Sequence, residues 1–182
     1  MKKVYIFLAE GFEEIEAITP IDVLRRAEID VTTVSISDKK EVTGAHNIII
    51  IADRIFTESN FTDADLLVLP GGMPGTLNLN EHEALKELLV DFSNRGKLIG
   101  AICAAPLVLG EKGLLKGKNA TCYPGFENQL IEAKHTGSPL EVADNIITAK
   151  GVGAAMKFAL QLVSMLRGKE VAYELTQKMV IE

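Results

Sequence analysis

Leu98-Ile99-Gly100-Ala101-Ile102-Cys103-Ala104-Ala105-Pro106 decides the fold. Its first five residues are apolar or small at every position instead of alternating with polar ones, which marks a strand buried on both faces. The small residues and proline that follow read as a sharp turn into a helix. A strand covered on both sides belongs in a parallel sheet with helices above and below it.

The same unit recurs outward from this stretch. Leu66 to Leu69 is a core strand ending at Pro70-Gly71-Gly72-Met73-Pro74-Gly75, and a helix carrying Leu85, Leu88, Leu89 and Phe92 follows, stopping near Asn94 or Arg95 before Gly96. Val4 to Leu8 leads into a helical stretch from Glu13 to Glu28, with Ile15, Ile18, Val23 and Leu24 roughly on one face and Pro20 as a possible kink. Val31 to Ile36 is a further strand, and Val42 with Ile48 to Ile51 reads as a small hairpin. Lys112 to Asn145 reads as less regular. Ile146 to Thr148 is the last strand, and helices are expected over Gly153 to Leu166 and Val171 to Met179. The expectation is an α/β chain, 1–182 forming one domain with a mainly parallel sheet and helices on both faces.

Composition narrows the function. A chain of 182 residues, 47% apolar, can bury one sizeable core. The net charge of −6, scattered Lys and Arg and absence of Trp argue against nucleic acid as a partner. The longest apolar stretch, Leu98 to Leu109, contains Pro106 and falls short of the roughly 20 residues that span a bilayer, so no membrane partner is expected. Met1-Lys2-Lys3 and the short run Val4 to Ala9 lead straight into Glu10, Glu13 and Glu14, unlike a secretory signal. A cytoplasmic location is the expectation. Two cysteines, Cys103 and Cys122, and three scattered histidines, His46, His82 and His135, make no disulfide framework and no zinc spacing, so no metal is expected. Gly151-Val152-Gly153 has Met156 where a dinucleotide fingerprint needs a third small residue, which argues against a nucleotide cofactor.

In open α/β sheets ligands bind beyond the carboxyl ends of the strands. That rule selects Glu13, Glu14 and Glu16, Gly71 and Gly72, Cys103 and Ala104, and Gly151 and Gly153. The small neighbours of Cys103 permit a nucleophile elbow, and a sulfur at a helix start meets amides that favour thiolate. A carboxyl reaching that sulfur must keep its proton, and Glu16 is the candidate. Glu13 and Glu14 read as a capped, solvated first turn. The amides of Gly71, Gly72 and Ala104 are expected to form an oxyanion hole. Cys122, beside Tyr123 and Pro124, reads as a packed cysteine, with a resolving role for oxidised Cys103 as the alternative. The histidines are expected at the surface, and no Cys-His dyad can be assigned.

Three motifs stand in order: Leu8-Ala9-Glu10-Gly11-Phe12-Glu13-Glu14-Ile15-Glu16, Val68-Leu69-Pro70-Gly71-Gly72 and Ala101-Ile102-Cys103-Ala104-Ala105-Pro106. With Pro20-Ile21-Asp22-Val23-Leu24-Arg25-Arg26 and Gly168-Lys169-Glu170-Val171-Ala172, they resemble the ThiJ/PfpI superfamily, in its DJ-one branch. The resemblance implies a flavodoxin-like, Rossmann-like sandwich and a homodimer. It implies Cys103 as an oxidation-sensitive nucleophile, Glu16 as its hydrogen-bonding acid, Gly72 and Ala104 as pocket amides, and Arg26 near the pocket. Ala104 replaces the histidine of protease-like members, which counts against a peptidase. Tyr123 replaces a pocket histidine of other members. The implied activity is cofactor-independent conversion of a small 2-oxoaldehyde, or of a glycated substrate, through a hemithioacetal on Cys103. The alternative is a redox sensor or chaperone in which Cys103 becomes a sulfinic acid.

Overall fold

The apolar runs pair into one seven-stranded sheet in the computed structural model, which describes residues 1–181. In chain order the elements are β1 (Lys3–Leu8), α1 (Glu14–Arg26), β2 (Asp30–Ser35), the hairpin β3 (Glu41–Thr43) and β4 (Ile49–Ile51), β5 (Arg54–Ile55) and β6 (Leu66–Leu69). There follow α2 (Gly75–Glu81), α3 (Glu83–Asn94), β7 (Leu98–Ile102), α4 (Pro106–Glu111), β8 (Asn119–Ala120) and β9 (Lys134–His135). The chain closes with β10 (Leu140–Ala143), β11 (Ile146–Ala149), α5 (Ala155–Arg167) and α6 (Lys169–Lys178). The sheet order is β10-β11-β7-β6-β1-β2-β5, and every pair is parallel except β10 with β11. This is a flavodoxin-like fold.

Both sheet faces are covered, which is why the central strands carry no polar face. One core packs Val4, Ile6, Leu66 and Val68 against Val23, Leu24, Phe158 and Leu162 of α1 and α5. The other packs Phe7, Leu67, Leu69 and Ile99 against Leu85, Leu89 and Phe92 of α3 and Val108 of α4. Chain direction across the sheet reverses between β1 and β6, so the loops after β1, β6 and β7 leave a crevice at their carboxyl ends.

Three segments differ from the sequence reading. The helical stretch after Gly75 is two helices, broken at His82, whose Nδ1 accepts a hydrogen bond from the Leu85 N–H at 3.1 Å and caps α3. Within the region expected to be irregular, Leu140–Ala143 adds an antiparallel edge strand, with Glu141 opposite Thr148. Arg54–Ile55 extends the other edge.

Candidate active site

Cys103 follows β7 directly. Its φ of +65° is the left-handed region that a side-chain-bearing residue enters only when its surroundings hold it there. Here the Cys103 N–H donates to the Ala149 carbonyl at 2.9 Å, and the Cys103 carbonyl accepts from the Tyr123 N–H at 2.8 Å. The thiol is left half-buried at the crevice.

Glu16 approaches from the first turn of α1. Glu13 caps that helix, its Oε2 accepting from the Glu16 N–H at 2.8 Å. The Glu16 side chain is buried, and its Oε2 accepts from the Gly71 N–H at 3.0 Å. Its Oε1 is buried and accepts no hydrogen bond. The Cys103 thiol lies beside the carboxyl, close enough for each to change the other's ionisation.

Glycine at 71 and 72 is what lets the three loops close up. A Cβ on Gly71 would sit 2.6 Å from both the Cys103 Cβ and the Glu16 Oε2. Gly72 has φ +93°, and a Cβ there would be 2.3 Å from the Glu13 nitrogen. The loop after β6 therefore lies flat against both reactive groups.

The electrostatics follow from this crowding. Burial raises the Glu16 carboxyl to about 7, with the Glu13 charge adding to the rise and the Cys103 thiol and Gly71 amide opposing it. Burial and the charge of Glu16 push the Cys103 thiol up to about 12, while the amides of Ala104 and Gly72 pull it down. Each group's charge is a cost to the other, so the pair carries at most one negative charge near neutral pH. Burial is the larger cause of the high thiol value, and an ionised Glu16 raises it further.

The structure brings Cys103, Glu16, Gly72 and Ala104 together and revises the other expectations. The Gly71 amide is not free for an oxyanion, because it already donates to Glu16. No helix start lowers the cysteine's pKa: α4 begins at Pro106, and burial with the Glu16 charge outweighs the two amides. Arg26 lies ten residues beyond Glu16 on α1, roughly 15 Å along the axis, and pairs with Asp22 at 2.7 Å, away from the crevice. Tyr123 reaches the rim, half-exposed. Cys122 is buried in the core on the sheet face opposite that against which Cys103 packs, and its thiol is pushed up to about 11 by burial, which leaves it inert.

Glu13 and Glu14 are not solvated. Both are buried, and Glu14 receives the His46 N–H at 2.7 Å on Oε1 and contacts the His46 Nδ1 at 2.8 Å through Oε2. Glu13, Glu14 and His46 each bring one potential ligand atom to within 4.8 Å of the others. No sequence spacing announces this cluster, since His46 comes from the hairpin 32 residues after Glu14.

Fold and site together describe a flavodoxin-like protein built around an elbow cysteine with a buried carboxyl at its side. The chain belongs to the DJ-1/PfpI family, which it matches over residues 2–165. It is 34% identical over 185 residues to the Parkinson disease protein 7 homolog of Danio rerio, covering 100% of this chain and 98% of that one. It is 31% identical over 180 residues to the glutathione-independent glyoxalase DJ-1 of Schizosaccharomyces pombe, covering 93% and 94% respectively. It is also 40% identical to protein DJ-1 homolog B of Arabidopsis thaliana, where 99% of the chain spans 42% of that relative's length. Oxidized Toxoplasma gondii DJ-1 superposes with a TM-score of 0.93 at 34% identity, covering 99% of this chain and 98% of that one.

Proposed function

We propose that the chain is a cofactor-independent, cysteine-dependent enzyme that converts small 2-oxoaldehydes such as methylglyoxal to 2-hydroxy acids in the cytosol. The observation that carries the reading is the elbow thiol of Cys103 beside a buried Glu16 whose carboxyl titrates at about 7. The likeness to the fission-yeast protein named a glyoxalase supports it.

In the proposed reaction the Cys103 sulfur attacks the aldehyde carbon. A C–S bond forms, the carbonyl π pair moves to oxygen, and that oxygen takes the proton from Glu16 to give a hemithioacetal. The Gly72 and Ala104 amides face the sulfur side of the crevice and stabilise the developing oxyanion. Glu16, now ionised, removes the hydrogen of the attacked carbon and returns it to the neighbouring carbon, while the hemithioacetal hydroxyl proton passes to the ketone oxygen, so the ketone becomes an alcohol and the hemithioacetal a thioester. Water cleaves the C–S bond, releasing the hydroxy acid and the thiol. The sum is aldehyde plus water, with no outside oxidant. Peptidase chemistry is not proposed. His46 pairs with Glu14, His82 caps α3 and His135 is exposed on β9, so Cys103 is given no imidazole base among the described residues.

A second reading takes the Cys103 thiolate to sulfinic acid with two equivalents of a peroxide, and Glu16 then donates a hydrogen bond to the new oxygen. The likeness to an oxidized DJ-1 favours it. Either activity is proposed in a homodimer. Ile15 and Ile18 on α1, and Ile49 and Ile51 on the hairpin that Glu14 ties to it, are 52%, 42%, 56% and 70% exposed.

NMR of methylglyoxal with the reduced protein tests the enzyme. Lactate from wild type and none from Cys103→Ser is the expected result. Lactate from neither, with ready peroxide oxidation of Cys103, replaces the enzyme with the sensor.

A further inference from the structure

Beside the elbow lies a groove of about 420 Å³ that the proposed reaction of a three-carbon aldehyde leaves unused. Pockets for drug-sized ligands span about 300–1,000 Å³. It is lined by Tyr123, Pro124, Pro139 and Val152, with Lys150, Gly151 and Gly153 beside them. Tyr123 and Val152 are 50% and 39% exposed, so the groove presents apolar surface. The prolines and glycines of the lining lose little side-chain entropy when a ligand is bound.

The groove is joined to the reacting atoms on both sides. Tyr123 is fixed by the hydrogen bond from its N–H to the Cys103 carbonyl. Gly151 follows β11 by two residues, and a Cβ there would lie 3.2 Å from the Tyr123 Cδ2 and 3.9 Å from the Glu16 Oε1. That Oε1 is the buried oxygen with no hydrogen-bond partner. With no side chain at 151, nothing from that residue stands between the Tyr123 ring and the Glu16 carboxyl.

We infer that this groove binds the second substituent of the substrate, and that the substrates are 2-oxoaldehydes bearing a flat apolar group of aryl size. Tyr123 and Gly151 determine that specificity. The inference deepens the aldehyde reading and rests on Cys103 as the reacting atom.

Alkylation tests the groove independently of turnover. Cys103 is treated with iodoacetamide and with N-benzyl iodoacetamide; in each the C–S bond forms as C–I breaks, iodide leaves and the thiol proton passes to buffer. Relative to glutathione with the same two reagents, wild-type Cys103 is expected to favour the benzyl reagent by about tenfold or more. Tyr123→Ala, which removes the ring from the groove, and Gly151→Val, which puts a side chain between that ring and Glu16, are expected to remove that preference. Consumption of methylglyoxal and phenylglyoxal is measured alongside. A wild-type preference equal to that of glutathione, or one that neither variant alters, overturns the groove's role even if methylglyoxal is consumed. A benzyl preference lost in both variants, with neither aldehyde consumed, supports the groove as a ligand subsite and removes the aldehyde reading. A Cys103 that reacts with neither reagent overturns both.

Discussion

Glu16 has a folded pKa of about 7 against an ordinary 4.5, so the folded state binds its proton more tightly than the unfolded chain does. For a raised carboxyl the sign is a cost: stability is full below pH 4.5 and is lost as pH rises through about 7. A shift of that size corresponds to about 3 kcal/mol, which Glu16→Gln would not lose. Urea unfolding at pH 4.5 and 8 is expected to show wild type falling relative to Glu16→Gln by that order, and parallel curves would count against the burial. Cys103 was legible in the sequence because it directly follows a run that must be a strand, and Glu16 because it stands in the first turn of the helix that follows another. The Gly71 amide's true partner was not, since the same two glycines could serve an oxyanion or a carboxylate until the approach of α1 is known. Arg26 was misplaced because the resemblance gives a position in the chain and takes no account of the length of helix separating it from Glu16.

Glu14 ties the hairpin to α1, pairing with the His46 ring and accepting from the His46 and Ile48 amides. Burial raises Glu14, but hydrogen bonds from the His46 side chain, the His46 and Glu14 amides and the Ile48 amide outweigh it and leave the carboxyl below its ordinary range. The Glu14 carboxylate raises His46 above 6.5. Glu14's contribution is present above pH 4.5 and lost below as the carboxylate protonates; that of His46 is present below 6.5 and lost above as the imidazolium deprotonates. His46→Ala is therefore expected to lower the melting temperature more at pH 5.5 than at pH 9, and an equal drop at both would reject the pair. Phe158 of α5 rests on Gly100, where a Cβ would come within 2.9 Å of its ring, so that helix supports the strand leading to Cys103. Phe158→Ala should cost about 3–5 kcal/mol in urea unfolding. The central strands could be read from sequence because burial on both faces leaves them uninterrupted. Leu140–Ala143 and Arg54–Ile55 could not, because short edge strands take their partners from the sheet and carry little pattern of their own.

At the scale of the molecule, the exposed isoleucines of α1 and the hairpin predict association. Sedimentation of wild type is expected to give a dimer, and Ile18→Glu with Ile49→Glu a folded monomer; a dimer that survives both changes places the interface elsewhere. The sheet's larger consequence is convergence, since three strand ends bring a carboxyl, a thiol and two amides from distant parts of the chain to one proton. The measurement that tests this most directly is the rate of Cys103 alkylation against pH in wild type and Glu16→Gln. Because the Glu16 charge raises the thiol, the account predicts a wild-type rise at high pH and its displacement to lower pH in the uncharged variant. Superimposable profiles would contradict it, leaving Cys103 a thiol that titrates without Glu16.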